Sequence, residues 1–166
     1  MKDSTKVIKL TLDDFDIEDY KLIAIHSSKK EDYKVVYSIN TTLELFLVKE
    51  EKDITITTDE GFANFPHFEY EDHDHHILWK VVANKAFIKP DTDIESPLFS
   101  DKKHAITKQG YLVPELKNVD YLIKIEDTDE YFDIGIVLEK LNSIKIFSTA
   151  YEVRQETIKN RKNLIF

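Results

Sequence analysis

The chain has 166 residues, of which 42% are hydrophobic and 11% aromatic, and a formal net charge of −9. That is enough apolar material for one domain with its own core, and too much for a disordered segment. No cysteine occurs, which excludes disulfides, thiolate nucleophiles and cysteine-held zinc or iron–sulfur centres, and the three glycines (Gly61, Gly110, Gly135) are too scattered to form a phosphate-cradling loop.

Val7 to Leu12 alternates, with Ile8, Leu10 and Leu12 on one face, and predicts a half-buried strand. An acidic connector over 13–19 leads to Tyr20–His26, whose nearly continuous apolar run predicts a strand covered on both faces. Ser28 and Glu31 stand at capping-box spacing, and Tyr33, Val36, Tyr37 and Asn40 recur with helical period, which places a helix near 29–41. Leu43–Val48 reads as a strand and 49–64 as a polar loop with a short strand at Ile54–Ile56. Phe65–Asp72 and His75–Ala83 form a predicted hairpin about His73-Asp74; a two-residue turn there sets Phe68 opposite Trp79 and Tyr70 opposite Ile77.

Residues 84–112, with Pro90 and Pro97, read as the longest irregular segment. Val119–Glu126 alternates as a strand. Ile134, Val137, Leu138, Leu141 and Ile144 predict a second helix near 130–142, with Asp129 and Glu130 at the end where the helix dipole favours negative charge. Ile144–Tyr151 is the last expected strand. The tail over 155–166 is basic at Lys159, Arg161 and Lys162, then apolar at Leu164, Ile165 and Phe166.

Two strand–helix–strand units, at about 20–48 and 119–151, thus frame a hairpin in a single domain spanning 1–166. The expected class is α+β: a ferredoxin-like or split-βαβ antiparallel sheet with two helices on one face and an inserted β-hairpin.

The string Val113-Pro114-Glu115-Leu116-Lys117-Asn118-Val119-Asp120-Tyr121 resembles the hallmark of the bacterial IPExxxVDY family, with Val113 where that family has isoleucine. Glu31-Asp32-Tyr33, Phe68-Glu69-Tyr70 and Asn163-Leu164-Ile165-Phe166 also look like that family's pattern. The family has no established activity, so the resemblance carries no functional residue over. The frequent placement of its members near genes for ribonuclease III and pyruvate kinase implies an RNA or metabolic context. The hallmark also has a structural reading: Pro114 fixes φ and keeps Val113 extended, Tyr121 shares an apolar face with Val119, and Glu115 and Asp120 cap or pair locally.

The densest set of ligand-type side chains is His67, Glu69 and Asp72 to His76. His73, His75, His76 and Glu71 are its metal candidates, against the simpler reading of an exposed polar turn. Asp127-Thr128-Asp129 with Asp133, and Asp91-Thr92-Asp93 with Glu95, lack the glycine and closing glutamate of a calcium loop. No catalytic group and no cofactor is expected. Leu164, Ile165 and Phe166 dock either on their own domain or on a protein partner.

The leading functional expectation is a non-enzymatic interaction or adaptor domain that binds a protein partner or itself. A small-ligand or metal-sensing domain and an accessory of RNA processing are the alternatives. A net charge of −9 opposes DNA, anionic membranes and RNA. With no continuous apolar run long enough for a signal peptide or a membrane span, the expected location is the cytoplasm.

Overall fold

The computed structural model describes residues 20–90 and 108–166. The expected strand at Val7–Leu12, the acidic connector and the Asp91–Glu95 cluster lie outside them. In chain order the elements are β1 (Tyr20–Ser27), α1 (Asp32–Leu43), β2 (Val48–Lys49), β3 (Ile54–Thr58), β4 (Gly61–Phe65), β5 (His67–Asp72), β6 (Ile77–Ala83), β7 (Lys85–Lys89), β8 (Gln109–Tyr111), β9 (Tyr121–Glu126), α2 (Ile134–Asn142) and β10 (Phe147–Glu152). They make an α+β fold with two antiparallel sheets, ordered β10-β1-β9-β6-β5-β2 and β3-β4-β7-β8. The strands β1, β6, β9 and β10 lie side by side in the order β10-β1-β9-β6, so that taken in chain order they stand fourth, first, third, second.

The period-two alternation of β1 and β9 explains the layering. Ile23, Ile25, Ile123 and Ile125 point to one face, where they pack with Trp79 and Val81 against Val35, Val36 and Ile39 of α1 and Val137 and Leu141 of α2. Leu22, Ala24 and Leu122 point to the other, against Ala63 and Phe65 of the second sheet and against Leu112, Val113, Ile158 and Leu164. The central strands are therefore covered on both faces, as the nearly continuous apolar run at 20–26 predicts. Each such aliphatic side chain contributes about 1.5–3 kcal/mol on full burial.

The second sheet is the main departure from the sequence-based expectation of a single sheet with one inserted hairpin. The short strand expected at Ile54–Ile56 is present as Ile54–Thr58, and it pairs as a hairpin with Gly61–Phe65, most of which was read as loop. The segment read as irregular, 84–112, carries β7 and β8, which pair with each other. Gly61 is needed here: its φ is +137°, and a Cβ would lie 2.0 Å from the Lys89 carbonyl oxygen where β4 begins beside the end of β7.

β6 passes through Asn84 straight into β7, so one extended run serves both sheets. Asn84 is fully buried. Its Oδ1 accepts from the Val113 N–H at 2.8 Å, and its Nδ2 donates to the carbonyls of Leu116 at 2.8 Å and Val119 at 3.1 Å. Its own N–H donates to the Asp120 carbonyl and its own carbonyl accepts from the Leu112 N–H. One side chain thus satisfies the main chain of the 113–119 turn, which is itself a single 3-10 turn over Pro114–Leu116.

The two outer edges of the six-stranded sheet carry a shared device. Asn142, the last residue of α2, donates to the Ala150 carbonyl at 2.9 Å and accepts from the Ala150 N–H at 2.8 Å, filling the outward-facing groups of β10. Asn40 near the end of α1 does the same to Leu47, next to β2, at 3.1 and 3.0 Å. An amide side chain stands in for the neighbouring strand that the edge would otherwise recruit.

Local differences from the expected elements have local causes. Ser28 and Glu31 do not form a capping box: Ser28 Oγ donates to the Ile146 carbonyl, Glu31 is the cap residue but pairs with Lys34 at 2.7 Å, and α1 starts at Asp32. Leu43–Val48 is not one strand, because α1 runs to Leu43 and Glu44 then turns left-handed at φ 60°. The β5–β6 turn has four residues, because the Asp72 carboxylate accepts from the N–H groups of Asp74 and His75 and His76 turns at φ 57°. Tyr70 therefore faces Trp79, and Phe68 faces Val81. α2 begins at Ile134, where Asp133 caps the Gly135 N–H at 2.8 Å, not near Asp129. The strand expected from Val119 begins at Tyr121, and β10 begins at Phe147.

Asn84→Ala leaves the Val113 N–H and the Val119 carbonyl without partners, while the Leu116 carbonyl keeps the Val119 N–H, so about 2–3 kcal/mol of unfolding free energy is expected to be lost, read by urea denaturation. Asn142→Ala opens the β10 edge. A loss of about 1 kcal/mol is expected, with faster aggregation on heating measured by light scattering.

Candidate functional site

Residues of the 113–121 string tie several distant segments together. Glu115 Oε1 accepts the N–H groups of Lys159 at 2.9 Å and Asn160 at 3.2 Å, which fastens the start of the tail. Asp120 Oδ2 accepts the Ser27 N–H at 2.9 Å, while its Oδ1 meets Lys85 Nζ at 2.7 Å. The Tyr121 ring is in the core, and its hydroxyl lies 2.8 Å from Asp32 Oδ1 and 3.1 Å from the Lys30 carbonyl, so its one proton goes to either. Val113 and Val119 are buried, and Pro114 opens the turn between them.

The tail docks on its own domain. Leu164 is 1% exposed and Ile158 is buried with it, whereas Ile165 remains exposed. Lys80 Nζ donates to the main-chain oxygen of Phe166. The Phe166 ring lies 5.6 Å from both Lys80 Nζ and Lys124 Nζ and 5.7 Å from the His67 ring. Both lysines are buried on the sheet and are matched to Glu126, Lys80 at 3.4 Å and Lys124 in a closer contact. The cations that seat the tail therefore belong to the sheet. Lys159, Arg161 and Lys162 of the tail stay exposed.

The metal candidates do not converge. His75 Nδ1 pairs with Asp72 at 2.8 Å and His73 Nδ1 lies 3.5 Å from Glu71, both on the solvated turn. His76 occupies the left-handed turn position. The hydrogen bond to Asp72 raises the His75 pKa above its ordinary 6.5, so this contact is complete below that pH and fades as pH rises past the raised value. Among the described residues no group of three or more His, Asp or Glu side chains is arranged to hold a metal ion. Asp129 and Asp133, read against a calcium loop, accept main-chain N–H groups of Tyr131 and Gly135 instead.

The hallmark does border one cleft, of about 270 Å³, between the entry to α1 and the β7–β8 pair. Asp120 and Tyr121 line it together with Lys29, Lys30 and Asp32 from the α1 side and Lys85, Phe87 and Gln109 from the second sheet. Burial first, and then the Asp32 carboxylate, push the Tyr121 phenol far above its usual pKa, so that hydroxyl stays neutral. Sequence reading missed this cleft because β7 and β8 were hidden in a segment read as irregular. It also missed Asn84, although an uncharged amide inside Val81-Val82-Ala83-Asn84-Lys85-Ala86-Phe87-Ile88 signals a buried group that must find partners.

Burial, the largest single influence on Glu115, raises its pKa, but hydrogen bonds that include those from Lys159 and Asn160 outweigh it and hold the group below 4.5. A depressed folded value means stabilisation that is complete above the unfolded pKa and lost as pH falls through the folded one. The amide shifts of Lys159 and Asn160 are therefore expected to stay constant as pH falls toward the ordinary glutamate range and to move only below it, and Glu115→Gln should abolish that titration.

Compared with family models, with curated proteins and with solved structures, the chain gives no match in any of the three.

Proposed function

We propose that this chain is a non-enzymatic interaction domain, cytoplasmic and of the IPExxxVDY group, that self-associates through the solvent face of α1. The observation that carries this reading is a run of large apolar side chains left in water. Tyr33 and Tyr37, one helical turn apart on α1, are 67% and 71% exposed, and Phe46 and Val48 just beyond the helix are 70% and 66% exposed. Neighbouring exposed aromatics of this kind are costly to leave bare and are the residue types that anchor protein interfaces.

Two further features support it. Asn40 and Asn142 occupy main-chain groups at the two outer edges of the larger sheet, which turns association away from strand addition and toward side-chain surfaces. The polar atoms of Glu115, Asp120 and Tyr121 are engaged in holding neighbouring segments, which is the behaviour of a scaffold. The strand order of β10-β1-β9-β6 is also the order a split-βαβ arrangement would produce, a framework whose helical face is free to meet a second copy.

Light scattering on eluting protein is expected to show a dimer at concentrations on the order of 100 µM, with dissociation on dilution. The double variant Tyr33→Ser, Tyr37→Ser should be monomeric at the same concentration with an unchanged melting temperature. A wild-type chain that stays monomeric at on the order of 1 mM contradicts the proposal.

A further inference from the structure

The cleft beside the hallmark has features that self-association through α1 leaves unused. Its floor holds a cation in a fixed place: Lys85 Nζ donates to Asp120 Oδ1 at 2.7 Å and to the Asn118 carbonyl at 3.4 Å. An ammonium has three N–H donors, so the third remains for a group entering the cleft. Asp120 is itself held by the Ser27 N–H, so the pair is oriented before anything binds.

Lys29 and Lys30 stand on the opposite wall and are exposed. Neither ammonium has an ion-pair partner among the described residues. The wall that carries them is pinned where the Tyr121 hydroxyl meets the Lys30 carbonyl and Asp32. With Asp120 matched to Lys85, the remaining charges are two lysines against Asp32, a local positive excess on a chain of net −9. The overall charge repels anions at long range, but salt screens that field beyond about 10 Å, so the lysines govern what binds at contact.

Across the cleft Phe87 is 62% exposed and lies opposite Gln109 in the β7–β8 pair. An aromatic ring beside a fixed ammonium offers an apolar surface to the body of a ligand whose head is charged. The volume of about 270 Å³ admits a small molecule and no folded partner.

We propose that this cleft binds a small organic anion, a carboxylate or phosphate joined to a planar apolar body, with the head group on Lys85, Lys29 and Lys30 and the body against Phe87. The test uses the full chain and NMR titration with phenyl phosphate, benzoate and inorganic phosphate. Phenyl phosphate or benzoate, whichever head group the lysines prefer, is expected to shift the amides of Lys85, Phe87 and Gln109, binding at least about tenfold more tightly than inorganic phosphate.

Lys29→Glu with Lys30→Glu should abolish that binding without changing the melting temperature, since both side chains are exposed. Phe87→Ala should remove the preference over inorganic phosphate while leaving the phosphate response in place. Failure of both aromatic anions to shift those amides at about 10 mM overturns the proposal. So does binding that survives the double lysine variant.

Discussion

A single buried amide sets the terms for the rest of this fold. Asn84 sits where β6 leaves one sheet and becomes β7 of the other, a corner at which main-chain groups would otherwise be buried without partners. Its side chain satisfies an N–H and two carbonyls of the turn that follows β8, and in doing so places Val113 and Val119 in the core and delivers Asp120 and Tyr121 into position. Glu115, Asp120 and Tyr121 then reach outward from that turn to the tail, to the end of β1 and to the start of α1. Three distant segments are thus tied to one short stretch. The cleft exists because that stretch, the α1 entry and the β7–β8 pair are held at a fixed separation.

Polar groups also decide where the sheet stops. Asn40 and Asn142 each close a helix and then act as a surrogate strand for one main-chain residue seven or eight positions later. Buried lysines play a comparable part on the opposite face. Lys80 and Lys124, matched to Glu126, give the tail a seat made of cations, and the Phe166 ring and main-chain oxygen occupy it. A buried charge is tolerated only when its partners are complete, so the tail and the sheet depend on each other.

How much of this was legible in the sequence depended on the range of the interaction. The α+β class, the doubly covered strand at Tyr20–His26 and the existence of both helices follow from apolar periodicity, which is local. Helix starts were misplaced where a competing local bond won, as at Glu31 with Lys34 and at Asp133 with Gly135. The hairpin register slipped because the Asp72 carboxylate organises a four-residue turn. The second sheet went unseen because β3, β4, β7 and β8 are short, and three of them are mostly polar or half-exposed and gain their order from pairing. Of the site, the hallmark residues were visible as a string, but their partners lie tens of residues away in the chain. Asn84 and Lys85, which supply the string with hydrogen-bond partners, stand in a segment that carries no periodic signal.

The Asn84 amide, on this reading of the fold, locks the 113–119 turn into the core of the whole domain. Native-state hydrogen exchange at the Val113 N–H, which Asn84 Oδ1 accepts, tests it most directly. This amide is expected to exchange only through global unfolding, with the same opening free energy as the amides of β1 and β9. Exchange through a local opening, while those central strands stay protected, would contradict it.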